Sequence, residues 1–213
     1  MTKSEIAPHQ IEITVVVLGA GTSSRMGQHK LLLPLAGKPV IAWSVLAASA
    51  SQAREVLVIL GRDAVAVQEA LPPGRYRAVI NKRFEHGQGV SLALAVSSTT
   101  PEAIGLLVLL ADQPFMDTGS IDHVLLAAER ESNRIIMGSV NGQAGHPVYL
   151  PRRLFAELRA HAGDIGAREI IARERSAVRL EPLANDLAHV DVDTSEDYQR
   201  ALELAYKLDF ASD

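Results

Sequence analysis

The stretch VVVLGAGTSSRMGQHK, Val15 to Lys30, begins as an unbroken apolar run, turns through glycines, and sets two cations, Arg25 and Lys30, beyond them. A β-branched run without polar alternation is what a strand covered on both faces requires. A glycine turn directly after such a strand lets backbone N–H groups approach phosphate oxygens, and nearby cations neutralise the charge. A dinucleotide loop would also want a carboxylate about 20 residues on, at the end of the second strand, to bind ribose. The chain there reads Val40-Ile41-Ala42-Trp43, and the second apolar run ends Leu60-Gly61-Arg62. A Walker loop needs lysine directly after its last glycine, whereas Gly27 is followed by Gln28. Two readings remain: a loop that holds a nucleoside triphosphate, and a tight strand-to-helix turn carrying two solvated cations.

Similar runs recur outward from this stretch: EVLVIL (55–60), RAVI (77–80), GLLVLL (105–110) and RIIMGSV (134–140). Helical spacing fills the intervals at 40–50, 64–71, 90–98 and 120–131. Strand and helix in alternation predict an α/β fold with a mostly parallel, doubly wound sheet, a Rossmann-like three-layer α/β/α domain. We expect it to span residues 11–213 as a single domain, after a flexible N-terminal tail at 1–10. Ligands in such sheets lie at the carboxyl ends of strands, which directs attention to the loops after Leu18, Ile80 and Leu110. Residues 142–180, richer in charge and holding Pro147 and Pro151, suggest a smaller excursion from the sheet. Residues 187–192 are then expected to return as a strand. Thr194 and Asp197 predict a capping box opening a last helix to about Asp209.

Composition narrows the possible partners. The 213 residues are 47% hydrophobic, ample for a sizeable core, and carry 21 basic against 25 acidic side chains, a net charge of −4. This balance offers no global attraction to nucleic acid or an anionic membrane, so a polyanion must be met by local basic groups. With no cysteine there is no disulfide framework, thiolate zinc site or cysteine nucleophile, which is compatible with a reducing cytoplasm. No apolar run reaches the ~20 residues of a membrane span, and the first residues lack a signal-peptide core. The expectation is a soluble, cytoplasmic protein.

Polar motifs stand at the predicted strand ends. Asp112, in Ala111-Asp112-Gln113-Pro114, is placed to hold Mg²⁺ on phosphate oxygens, although an Asx turn before proline would use the same residues. Asp191 and Asp193 stand on alternate residues of a predicted strand, so at most one would reach a metal held by Asp112. Helix capping is the competing use of that cluster. Asn81 and the glycines and serine of Gly87-Gln88-Gly89-Val90-Ser91 suit the edge of a base or ribose. A nucleophile elbow at Ser91 is disfavoured, because a polar loop precedes it where a strand should. Gly145-His146-Pro147 reads equally as a rigid turn, and Gly163-Asp164-Ile165-Gly166-Ala167-Arg168 as an ordinary helix start. The seven histidines show no zinc-type pairing.

Taken in order, these stretches resemble the MobA-like nucleotidyltransferases, and within them the molybdenum cofactor cytidylyltransferases (MocA). That family opens L-A-A-G-x-S-x-R-[FM]-G-x-x-K, against Leu18-Gly19-Ala20-Gly21-Thr22-Ser23-Ser24-Arg25-Met26-Gly27-Gln28-His29-Lys30 here. The match continues through Asn81, Gly87, Ser91-Leu92, Ala111-Asp112-Gln113-Pro114, Gly145-His146-Pro147-Val148, Gly163-Asp164, Gly166-Ala167-Arg168 and Asp191-Val192-Asp193-Thr194. Gly19 in place of alanine and His29 where aspartate is common are departures that bear on fine specificity. The resemblance implies Mg²⁺-dependent transfer of CMP from CTP to the phosphate of molybdopterin cofactor, with release of pyrophosphate. It implies that Leu18, Gly19, Ala20 and Gly21 line the nucleotide and that Arg25 and Lys30 meet the triphosphate. Asp112 and Asp193 would hold the metal, Asn81, Gly87 and Ser91 border the nucleoside, and His146 and Asp191 face the acceptor. Ala20 follows the cytidylyl branch, where guanylyltransferase relatives carry glycine. Transfer of GMP, another phosphorylated acceptor, or a non-catalytic chaperone that hands the cofactor to a molybdenum hydroxylase are the alternatives.

Overall fold

The structure, a computed structural model, describes residues 10–21, 29–160 and 167–210, with residues 209 and 210 described by backbone alone. Its elements in chain order are β1 (Ile11–Gly19), β2 (Pro34–Leu35), β3 (Lys38–Pro39), α1 (Val40–Ala50), β4 (Ala53–Leu60), α2 (Ala64–Ala70), β5 (Arg77–Ile80), α3 (Gln88–Ser98), β6 (Gly105–Leu110), α4 (Thr118–Arg130), β7 (Ile135–Val140), β8 (Gln143–Pro151), α5 (Phe155–Ala160), α6 (Arg168–Arg173), β9 (Val178–Pro182) and α7 (Ser195–Phe210). A 3₁₀ turn at Lys30–Leu32 leads into the β2–β3 hairpin.

Seven strands form one sheet in the order β5-β4-β1-β6-β8-β7-β9. Pairing is parallel except where β8 meets β6 and β7. All the other strands therefore point their carboxyl ends to one edge. The apolar run of β1 explains its central place. Ile11, Ile13, Val15 and Val17 pack among Ile41, Val45 and Val124 on one face. Val16 and Leu18 meet Leu92, Val96 and Leu158 on the other. A strand clothed on both faces has no use for polar alternation, and burying each large side chain contributes about 1.5–3 kcal/mol.

Two expectations need correction. Within 142–180, expected to leave the sheet, Gln143–Pro151 instead enters it as β8, pairing antiparallel with β6 and β7. Val178–Pro182 closes the far edge as β9, parallel to β7. Charge and prolines suggested an excursion, but buried Val148, Tyr149 and Leu150 supply the apolar surface of a sheet strand. Residues 187–192 are not a strand: they form a turn-rich crossing joined to the loop after β6 by the Val192 amide donating to the Asp112 carbonyl at 2.9 Å. The apolar residues that suggested a strand serve docking, since Val192 is fully buried against Leu35, Val40 and Ala201. The capping box forms as expected: Asp197 Oδ2 accepts from the Thr194 amide at 2.9 Å, and Thr194 Oγ1 from the Asp197 amide at 3.1 Å.

Candidate active site

At the common edge, β1 ends under tight constraint. A Cβ on Gly19 would lie 3.1 Å from Ile41 Cδ1 and 3.4 Å from the Ile59 carbonyl, so glycine suits this position. Leu18 and Ala20 are buried and Gly21 is exposed. A Cβ on Gly61, at the end of β4, would stand 2.7 Å from Phe84 Cβ and 2.9 Å from Ala20 Cβ. Ala20, Gly61 and Phe84 thus form a closed apolar wall beside the glycine turn. Gly61 and Phe84 escaped the sequence reading; the available signal was a glycine set directly after a buried run.

Lys30 opens the 3₁₀ turn, and its Nζ donates to Asp112 Oδ2 and Asp193 Oδ1, each at 2.6 Å. Burial pushes this ammonium's pKa down, but Asp112 and then Asp193 more than offset it, leaving Lys30 above the ordinary lysine value. Asp112 is positioned from several sides. The Ala111 amide donates to the Leu18 carbonyl at 3.1 Å, and Ser44 of α1, fully buried, donates from Oγ to the Gln113 carbonyl at 3.0 Å. The Val192 bond then draws the Asp191–Asp193 turn alongside. Asp191 does not share the ammonium; burial, and next the charges of Asp193 and Asp112, raise its carboxyl above the usual range.

These residues fit a hard divalent cation. Asp112 Oδ1 is buried without a hydrogen-bond partner among the described residues, an arrangement with a cost that a ligand would relieve. Carboxylate oxygens are the donors Mg²⁺ and Mn²⁺ prefer, and one or two of them suffice when phosphates and water complete the shell. No group of three or more His, Asp or Glu that could hold a metal occurs among the described residues.

The other candidates do not touch the charged cluster. Asn81 and Ser91 are each 3% exposed, and Asn81 Nδ2 donates to Ser91 Oγ at 2.9 Å while its Oδ1 accepts from the Arg83 amide at 2.9 Å. Gly87 precedes α3 at φ +95°, a region glycine enters without strain. His146 lies near the start of β8, which runs away from the edge. Burial, then His189 and Arg168, hold its imidazole down to about 4, so it is neutral near pH 7. His189 Nε2 lies 2.7 Å from the His146 carbonyl, and its ring covers Gly145, where a Cβ would meet Cε1 at 2.5 Å. His189 was not anticipated, since only the glycine it covers hinted at a close neighbour. Arg25, Gly163, Asp164 and Gly166 lie outside the described residues, as does the expected tail apart from Gln10.

A doubly wound, mostly parallel sheet whose first glycine turn faces a lysine and two aspartates across its carboxyl edge has the build of a nucleotidyltransferase. The chain belongs to the MobA-like NTP transferase family, whose profile matches residues 15–178. Purine catabolism protein PucB of Bacillus subtilis is 30% identical over 192 residues, 86% of this chain and 92% of that protein. Nicotine blue oxidoreductase of Paenarthrobacter nicotinovorans is 28% identical over 199 residues, 89% and 96% of the two chains. Among solved structures, Rv0371c of Mycobacterium tuberculosis superposes with a TM-score of 0.80 at 29% identity, covering 92% of this chain and all of that one. The same protein has been crystallised in complex with manganese. No described helix is long and apolar enough to cross a membrane.

Proposed function

We propose that this nucleotidyltransferase, a single domain over residues 11–213, moves CMP from CTP to the phosphate of molybdopterin cofactor in the cytoplasm, with Mg²⁺ and release of pyrophosphate. The observation that carries the reading is the meeting of Lys30, Asp112 and Asp193 at the edge where β1 ends in its glycine turn, with one oxygen of Asp112 left unpartnered. Asp112 and Asp193 would hold the metal, which screens the triphosphate's negative charge. The turn from Leu18 to Gly21 offers its backbone to the nucleotide, Lys30 faces the phosphates, and Arg25 is assigned to them on its place in the sequence alone. Asn81, Gly87 and Ser91 shape the nucleoside border, and His146 and Asp191 face the acceptor.

The acceptor oxygen attacks the α-phosphorus and the bond to the bridging oxygen of the leaving pyrophosphate breaks. A phosphate monoester is already largely ionised at pH 7, so no strong base is required. Positioning and neutralisation of the leaving group carry the catalysis. Ala20 and the wall it forms with Gly61 and Phe84 support a preference for CTP, and delivery of the product to a molybdenum hydroxylase or its chaperone would follow. A redox role, raised by one relative's name, lacks support at the glycine turn: β4 is followed by Gly61, closed off by Phe84, where a ribose-binding carboxylate would stand. Neither nucleic acid nor a membrane enters this scheme.

The test is pyrophosphate release with purified molybdopterin cofactor. Release with CTP well above that with GTP is expected. A preference for GTP would replace cytidylyl by guanylyl transfer, and cofactor binding without turnover of either nucleotide would favour a chaperone.

A further inference from the structure

We infer that Lys30 is the resident cation of the metal site: its ammonium bridges Asp112 and Asp193 in the free enzyme, and a divalent ion enters only when that ammonium leaves. The inference rests on the metal and triphosphate reading above. A single Nζ lies 2.6 Å from an oxygen of each aspartate, joining residues 82 and 163 positions away along the chain. The Lys30 and Asp112 side chains are only 12% and 21% exposed, so water screens that contact poorly, and the contact with the more open Asp193 less so. Two carboxylates gathered at a half-buried edge repel one another unless a cation stands between them, and Lys30 supplies one from within the chain.

A metal ion held by the same two carboxylates would stand against a full positive charge at short range. The ammonium and the ion therefore exclude each other. A nucleoside triphosphate resolves the conflict, because its phosphates give Lys30 new partners and give the ion further oxygen ligands. Lys30 in this role keeps the ligand set assembled and makes metal entry follow nucleotide entry. Competition of this kind is a coupling free energy, and it disappears when the competitor is removed.

The experiment is Mn²⁺ binding followed by electron paramagnetic resonance, which needs no turnover, on wild type and Lys30→Gln. Mn²⁺ also binds nucleotide in solution, so the decisive comparison is made without nucleotide, and a second series adds CTP or GTP. Lys30→Gln is expected to bind Mn²⁺ at least about tenfold more tightly than wild type. Adding Asp112→Asn to Lys30→Gln is expected to abolish the gain, which locates it. Lys30→Met is read in the same way should the glutamine variant fail to fold. Equal Mn²⁺ affinity of wild type and the Lys30 variants without nucleotide overturns the inference, while binding that appears with nucleotide and is lost in Asp112→Asn leaves the metal reading standing. Absence of protein-bound Mn²⁺ under every condition overturns the metal site and the inference together.

Discussion

The charged edge at Lys30, Asp112 and Asp193 and the flanks, where Asn81 meets Ser91 and a neutral His146 lies buried, use polar groups in opposite ways. On the flank, the Asn81 amide is spent inside the protein, on Ser91 Oγ and the Arg83 amide. At the charged edge, Asp112 keeps one buried oxygen without a partner among the described residues. Leaving a buried carboxylate oxygen unpaired is costly, and such a cost is tolerated where a ligand repays it. The flanks set shape through packing and backbone, and the charged edge is built for chemistry. Substitutions at the two places should therefore separate, activity falling at one and stability at the other.

The largest separation is expected at Asp112. Asp112→Asn should lower kcat/KM for pyrophosphate release by roughly a hundredfold to a thousandfold, the scale of losing one preorganised electrostatic contact. Its melting temperature by circular dichroism should remain near that of wild type, because Lys30 keeps Asp193. Asp193→Asn should cost about ten- to a hundredfold, as metal-site substitutions do, and Asp191→Asn less. If Asp191→Asn proves the more damaging, the second metal ligand is Asp191, and the bond of Lys30 to Asp193 is structural.

His146 offers a pH-dependent test of the neutral flank. Folded, it takes up its proton only near pH 4, against about 6.5 in the unfolded chain. Between those values the unfolded state binds more protons, so stability present above pH 6.5 is lost as the pH falls toward 4. His146→Gln should remove roughly 2 kcal/mol of that acid sensitivity, read as the difference between urea unfolding curves of variant and wild type at pH 7 and pH 4.5. Parallel pH profiles of the two proteins would mean that the imidazole takes up its proton alike in the folded and unfolded chains, and burial would not be holding it neutral.

The contrast between these regions also marks how far the sequence was legible. The apolar runs at 77–80 and 105–110 are strands, and 40–50 is a helix, with the very bounds their composition suggested, because apolar β-branched runs and helical spacing are local signals. Asp112 was legible for a related reason: a carboxylate directly after a buried strand can stand only at the edge. Long-range arrangements were not. The strand expected at 187–192 is a crossing, since Val192 docks on α1 and α7, and sequence spacing cannot distinguish docking from pairing. Nor could spacing show that Lys30 would reach two aspartates at once, or that Gly145 is a glycine because the His189 ring lies on it. Spacing was equally silent on the Asn81 side chain's bond to Ser91.

That pair supplies a smaller test. Ser91→Ala leaves Asn81 Nδ2 buried and unpaired, and should cost about 1–2 kcal/mol of unfolding free energy in urea titration. Turnover at saturating substrate should change by less than about threefold, because the altered group acts on shape alone. A large kinetic loss with unchanged stability would place Ser91 in contact with the nucleotide and dissolve the distinction between flank and edge.

The smallest expected effect probes the apolar wall. The Ala20 methyl lies against Gly61 and Phe84 so closely that a Cβ added at Gly61 would come within 2.9 Å of it. Ala20→Gly removes that methyl and gives the backbone of the turn more freedom, which should relax whatever limit the wall sets on base size. Discrimination through one methylene-sized contact amounts to about 1–3 kcal/mol at most, and a turn that shifts to fill the gap recovers part of it. The ratio of kcat/KM for CTP to that for GTP should consequently fall by about threefold to tenfold without inverting. Both nucleotides must be measured, because a uniform decline in the two would report a loosened turn and no role in base choice. Were the ratio to stay at its wild-type value while thermal stability dropped, Ala20 would be a packing residue, and the preference for CTP would have to be set elsewhere along the nucleotide edge.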